Sequence, residues 1–337
     1  MTAAAPTVLD DAQVRGLLPS RPPRGHKGTS GKLLVIAGSM DYLGAALLVT
    51  RAACRAGAGL VRLAIPTSLQ PLVAGRVLEA VTIGLPETDI VGEVAAAAAL
   101  DQLLDLDHDA AVIGPGLRPG LATVDLVVDF LAAEGERAPV VVDAEALNSL
   151  STIESWWERV TRPCVLTPHV GELTRLMATG GETVGQADAD LAEDDDARAA
   201  TASRAATTWG QVVVLKGART VVAGGEPDPS AVVVAPFENP ALATAGTGDV
   251  LAGTIGALLA QGCSPVRAAR AGVYLHGAAG EVVRERYGSA GVVASDLPDE
   301  IARVRRRLEA AAEREREGRR LGFAVGPPPD PSPEADS

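Results

Sequence analysis

Five short apolar runs, each stopped by a residue that ends a strand, constrain this chain more than any other pattern. Lys32–Ala37 stops at Gly38, Ala110–Ile113 at Gly114, Val140–Val142 at Asp143, Cys164–Leu166 at Thr167-Pro168, and Val212–Leu215 at Lys216-Gly217. Leu60–Ile65 and Val81–Leu85 are two further strands of the same kind. Alanine-rich segments with helical spacing separate them, among them Leu43–Ala56, Glu93–Leu104 and Val124–Ala133, and helices are also expected from Ser68, up to Trp209, over Pro265–Arg286 and over Asp296–Glu313. Runs that are apolar on both faces belong to parallel strands covered on two sides. Strand and helix alternating in this way predict an α/β sandwich of three layers around a mostly parallel sheet. Hydrophobic residues make up 47% of the chain but aromatics only 3%, so Val, Leu, Ile and Ala must build the core. Thr220–Val222 and Val232–Val234 predict a hairpin.

These patterns divide the chain into an N-terminal arm (1–24), one domain (25–313) and a disordered tail (314–337) ending in GPPPDPSPEADS. Gly180–Asp196 is acidic and reads as a solvated excursion. A net charge of −13 argues against nucleic acid as a partner, because phosphate backbones need a basic surface. Cys54, Cys164 and Cys263 are odd in number and far apart, which fits a reducing compartment and no zinc knuckle. No signal peptide and no apolar run of membrane-spanning length is present in the sequence, so a cytoplasmic protein without a membrane partner is expected.

Gly38, Gly114, Asp143, Pro168 and Gly217 all lie just past strand ends, where parallel sheets bind ligands. The stretch NPALATAGTGDVLAG (Asn239–Gly253) supplies what such a crevice needs. Its glycines let the backbone bend closely around a ligand, and the first-turn amides of the following helix make an anion site. Asp249 stands inside that first turn. It is either a helix-capping acid or a carboxylate with a chemical task; beside donors built for negative charge, a lowered pKa is expected.

Two tempting motifs fail. Gly28-Thr-Ser-Gly31-Lys32 has His26 where a phosphate loop needs Gly and Leu33 where it needs Ser or Thr. Gly114-Pro-Gly116-Leu-Arg-Pro119 lacks the third glycine of the dinucleotide fingerprint. Lys216-Gly217-Ala218-Arg219-Thr220 suits nucleotide phosphates, or is a tight turn with solvated charges. His169 and Glu172 either meet a substrate or cap the next helix; Asp143 and Asn148 either orient the substrate or water around a metal, or cap the short helix that follows them. Met40 and Tyr42 suit packing on a planar ring, with a core role equally open for Met40.

Taken jointly, KLLVIAGSMDYLGAALLVTRAACRAGAGLVRLAIP (Lys32–Pro66), VIGPGL (Val112–Leu117), VVDAEALN (Val141–Asn148), LTPHVGEL (Leu166–Leu173), VVLKGART (Val213–Thr220) and the G-T-G-D helix resemble one branch of the ribokinase-like superfamily. That branch is the ADP-dependent NAD(P)H-hydrate dehydratases, and the resemblance covers about residues 25–310. It implies a ribokinase-like fold and a repair reaction on NADH or NADPH hydrated across the nicotinamide 5,6 double bond. It also implies ADP as co-substrate, Mg²⁺, and a homo-oligomer, typically a tetramer; no carboxylate cluster in the sequence is an obvious metal cage, which agrees with an ion held mostly by phosphates and water. By the same resemblance Asp249 is the base and Ala245, Gly246, Thr247 and Gly248 form the anion hole. Lys216, Gly217, Ala218, Arg219, Thr220 and Gly248 hold the nucleotide, while Ala45, Gly116, His169 and Asp249 meet the hydrated substrate. Many relatives carry an N-terminal epimerase domain, for which about 25 residues leave no room, so a separate epimerase is expected as a partner. A thiazole or pyrimidine kinase of the superfamily would share the G-x-G-D helix but is not expected to combine it with GSMDYLGAA, PHVGE and KGART.

Overall fold

The computed structural model describes residues 6–22, 24–135, 138–179, 191, 194–225 and 231–320. Ten strands appear among them: β1 (Thr7–Val8), β2 (Lys32–Ile36), β3 (Leu60–Pro66), β4 (Ala80–Leu85), β5 (Ala110–Ile113), β6 (Val140–Val142), β7 (Cys164–Leu166), β8 (Val212–Leu215), β9 (Val221–Ala223) and β10 (Val232–Val234). They form a single sheet in the order β1-β10-β9-β8-β7-β6-β5-β2-β3-β4. Every pairing is parallel except the two made by β9.

Alternation along the strands sorts side chains to two faces. Leu33 and Val35 point into one buried cluster, Leu34 and Ile36 into the other. The first cluster is covered by α1 (Asp11–Leu17), α2 (Leu43–Arg55), α3 (Gln70–Ala74), α9 (Thr247–Ala260), α10 (Pro265–Tyr287) and α11 (Leu297–Arg320). The second lies under α4 (Ala96–Leu104), α5 (Leu121–Ala132), α6 (Glu145–Leu150), α7 (Val170–Ala178) and α8 (Asp195–Trp209). The three-layer expectation is met.

Helix α9 is buried from Val250 through Ala260, which explains why it has no polar face in sequence. Two glycines let it sit this deep. A Cβ on Gly253 would lie 2.3 Å from the Val49 carbonyl oxygen, and one on Gly256 2.4 Å from Val112 Cγ2.

Three boundaries differ from the sequence reading. Residues 1–24, read as an arm, add strand β1 to the edge of β10 and then a helix that buries Val14. The reason is local: Asp10 and Gln13 form a capping box that starts α1, and β10 offers an open edge. Helix α11 continues through Arg320, past the expected end at 313, because its Glu/Arg-rich last turns are good helix formers. The tail beyond 320 and most of the acidic excursion lie outside the described residues. The excursion's end does not read as solvated filler: Asp194 caps α8 by accepting from the Asp196 and Ala197 amides. Among the described residues no helix is long and apolar enough to cross a membrane.

Candidate active site

The ends of β5, β6, β7 and β8 and the head of α9 converge on one cleft, as the row of strand-ending residues predicts. At its floor lies a knot of charge. Asp143, past β6 and 1% exposed, accepts on Oδ1 from Thr167 Oγ1 (2.7 Å) and from Lys216 Nζ (2.8 Å). The same ammonium is 3.5 Å from Glu172 Oε2. The two carboxylates hold Lys216 firmly protonated against the opposing effect of burial. A Cβ on Gly248 would stand 3.6 Å from Lys216 Nζ, so the ammonium abuts the first turn of α9.

Gly246 takes the left-handed conformation (φ 89°) that the bend into α9 requires, and Thr247 Oγ1 ties the bend to the carbonyls of Leu242 (2.8 Å) and Thr244 (2.9 Å). Among the described residues no side chain caps this helix, which leaves its first-turn amides for a ligand. One side of this helix head opens on a cavity of about 370 Å³. Lys216, Gly217, Ala218, Thr220, Thr247 and Gly248 line it, all anticipated from sequence. Ala245, Gly246 and Arg219 do not.

Arg219 departs from expectation. Its backbone is in the left-handed region (φ 49°), and its guanidinium pairs with Asp195 Oδ2 at 2.7 Å. Of the two readings open for Arg219, phosphate contact or a charged turn, this pairing with the helix that follows the acidic excursion fits the second.

Asp249 is partly exposed, and its Oδ2 lies 3.7 Å from the position of a Cβ on Gly246. That same position is 2.6 Å from Leu48 Cδ1, so the carboxylate lies on the α2 side of the helix head. Contrary to the lowered pKa expected from sequence, burial and the charge of Asp143 push this carboxyl up to about 7, with Lys216 opposing only in part. Helix amides favour the ionised form, but they do not outweigh desolvation and a like charge. Ala45 and Gly116 meet on that side too. A Cβ on Gly116 (φ 66°) would lie 2.8 Å from Ala45 Cβ and 2.6 Å from the Tyr42 carbonyl oxygen.

His169 proves to be a cap: its Nδ1 accepts from the Glu172 amide at 3.3 Å, and Glu172 Oε2 accepts from the His169 amide at 2.8 Å. The capping role leaves the imidazole side chain 55% exposed at the mouth of the cleft, and burial lowers its pKa, so the ring is neutral near pH 7. Asn148 is held between Glu145 and Arg175. Met40 and Tyr42 are exposed, which removes the core reading for Met40.

A match to the family model of the NAD(P)H-hydrate dehydratases runs over residues 33–303, spanning every element of this cleft. The chain belongs to the NAD(P)H-hydrate dehydratase family. It is 40% identical over 292 residues to the ADP-dependent (S)-NAD(P)H-hydrate dehydratase of Neisseria meningitidis, covering 86% of this chain and 88% of that one. It is 42% identical over 308 residues to the bifunctional NAD(P)H-hydrate repair enzyme Nnr of Moorella thermoacetica, covering 91% of this chain but 55% of that enzyme. The chain thus spans about half the length of the bifunctional curated relatives it matches. A crystal structure of the ADP/ATP-dependent NAD(P)H-hydrate dehydratase from Bacillus subtilis, co-crystallized with ATP and Mg²⁺, superposes with a TM-score of 0.74 at 31% identity, covering 91% of this chain and all of that one. The sandwich is the ribokinase-like one.

Within this family member, the far wall of the cavity consists of residues to which the sequence pattern assigns no role. Phe237, Asn239, Leu242, Val273, His276 and Gly277 contribute to it. His276 is buried, and its Nε2 lies 2.9 Å from the Thr247 carbonyl oxygen. Desolvation lowers its pKa to about 4, so the ring is neutral and donates from Nε2 to that carbonyl. Val273, His276 and Gly277 share one helical face, but the same spacing describes any core-facing stripe. Only Asn239-Pro240, flanking the glycine bend, carried a signal.

Proposed function

We propose that this chain restores hydrated NADH or NADPH to the reduced dinucleotide, using ADP as phosphoryl donor and releasing AMP and phosphate. One observation carries the reading: the head of α9 separates a nucleotide-sized cavity with Lys216 and Gly248 from the side that holds Asp249, Ala45 and Gly116. The named activities of the Neisseria and Bacillus relatives support it.

ADP enters the cavity with its adenine against Phe237 and Leu242 and its phosphates at Lys216 and the first-turn amides of α9. The hydrated ring lies on the far side, flanked by Ala45, Gly116 and His169. Asp249 accepts the proton of the C6 hydroxyl as that oxygen attacks the terminal phosphorus of ADP; the bond to the bridging oxygen breaks and AMP leaves. A proton affinity near neutrality makes this carboxylate a better base than an ordinary aspartate. The amides and Lys216 balance the charge spread over the transferring phosphoryl group. The ring nitrogen's electron pair then expels phosphate from C6. Loss of a proton from C5 restores the double bond.

Among the described residues no group of three or more His, Cys, Asp or Glu side chains is arranged to hold a metal ion. Lys216 Nζ already occupies the space between Asp143 and Glu172, so these residues do not form a Mg²⁺ cage. In this reading the ion arrives on the nucleotide phosphates, and no step above depends on a protein-held metal. We further place the chain in the cytoplasm, where its reduced dinucleotide and free thiols belong, and in a homo-oligomer such as a tetramer.

The test is to incubate the protein with hydrated NADH and either ADP or ATP, following return of the reduced-nicotinamide absorbance. Recovery with ADP supports the assignment. Recovery with ATP alone rejects ADP as donor. Recovery with neither, together with phosphorylation of a thiazole or pyrimidine alcohol by ATP, moves the chain to the small-molecule kinases.

A further inference from the structure

Behind the phosphate-facing loop lies a buried cation that the reaction as described does not use. Arg198, on the first turns of α8, is 3% exposed. Its Nη1 donates to the Leu191 carbonyl (3.1 Å), and its Nη2 to the carbonyls of Leu215 and Lys216 (both 3.3 Å). Among the described residues no carboxylate comes within ion-pair distance, and Nε has no hydrogen-bond partner. The guanidinium stands where a side chain of residue 217 would be: a Cβ on Gly217 (φ 144°) would fall 2.8 Å from both Nη atoms. Glycine is therefore required there by the arginine as well as by the backbone angle.

Removal from water disfavours the charged form of this side chain, and the charge of Asp195, which is not in ion-pair contact with it, opposes that only in part. Arginine nevertheless stays protonated in proteins. Its positive charge lies one residue's width from a loop that faces a cavity suited to a nucleotide. Helix α8 grips this loop twice, since Asp195 also holds Arg219. We propose that Arg198 is a positioning residue for the nucleotide: it fixes the 215–217 backbone and adds a buried positive charge behind the loop that the phosphate chain of ADP complements. The inference rests on ADP binding in this cavity and extends it to a residue outside the cavity wall.

Binding of ADP and of adenosine is measured by calorimetry on the wild type and on Arg198→Met, together with steady-state constants. ADP affinity should fall by about tenfold or more, as for loss of a contact to a charged group. Adenosine, which lacks phosphate, should bind as before. The KM for ADP should rise more than kcat falls, with the KM for the hydrated dinucleotide unaltered. A purely structural arginine predicts instead a lower melting temperature and a smaller active fraction with an unchanged KM for ADP, and that result overturns the proposal. Equal losses for ADP and adenosine also overturn it. Should Arg198→Met fail to fold, Arg198→Lys decides: ADP affinity down by at least about threefold supports the proposal, because the fork is lost, and unaltered affinity overturns it. A wild type that binds neither ADP nor ATP overturns the nucleotide reading itself and this inference with it.

Discussion

Replacing Asp249 by Asn tests both the chemistry and the electrostatics of the cleft. The carboxyl moves from an ordinary 3.8 to about 7, driven by burial and Asp143. The folded state therefore binds this proton more tightly than the unfolded chain. The associated stability is fully present below about 3.8 and is lost as pH rises through about 7. At about 1.4 kcal/mol for each tenfold change in proton affinity, the full swing is about 4 kcal/mol, and about 2 kcal/mol after allowing for solvent screening in an open cleft. Asn carries no such penalty. Urea unfolding at about pH 5 and about pH 8 should show the variant gaining on the wild type by about 1–2 kcal/mol between the two. Turnover should drop by a factor of about a hundred or more at either pH, as expected when a general base is removed. In the wild type, kcat/KM should fall as pH drops below about 7, where Asp249 takes up its proton. Parallel stability curves for the two proteins would refute the electrostatic reasoning; turnover near the wild-type rate would refute the assignment of Asp249 as base.

Asp143→Asn removes the like charge beside Asp249, so the acid limb of the rate profile should shift to lower pH; an unmoved limb in a pH–rate series counts against the coupling. His276, held near 4, gives stability that is present above its ordinary 6.5 and lost as pH falls toward 4, so His276→Gln should flatten the acid side of a melting-temperature profile. Through the lost tie to Thr247, the same variant should also raise the KM for ADP. Gly253→Ala forces a methyl against the Val49 carbonyl and should cost about 1–3 kcal/mol in chemical denaturation, with a lowered melting temperature and no change in KM for the variant that remains folded.

Much of the site was legible because it sits at strand ends. Gly38, Gly114, Asp143, Pro168 and Gly217 mark where local apolar runs stop, and stopping is written into neighbouring residues. The head of α9 was readable for the same reason, since Gly246 and Gly248 announce the bend without any distant partner. The cavity wall from α10 was not readable, because Val273, His276 and Gly277 look like any buried stripe until the helix is docked. Capture of Arg219 by Asp195 was equally hidden, as it depends on where α8 returns to the sheet.

Sequence by itself determined the layers, the mostly parallel sheet and the end of the strands at which the cleft opens, because each follows from short-range periodicity and from residues that break it. Tertiary structure decided the charge logic. Whether Asp249 keeps an ordinary proton affinity, which cation lines the cavity and which lies buried behind it, depends on burial and on charges brought together from residues 143, 172, 198 and 216. Those are sums over neighbours distant in the chain, and no local pattern encodes them.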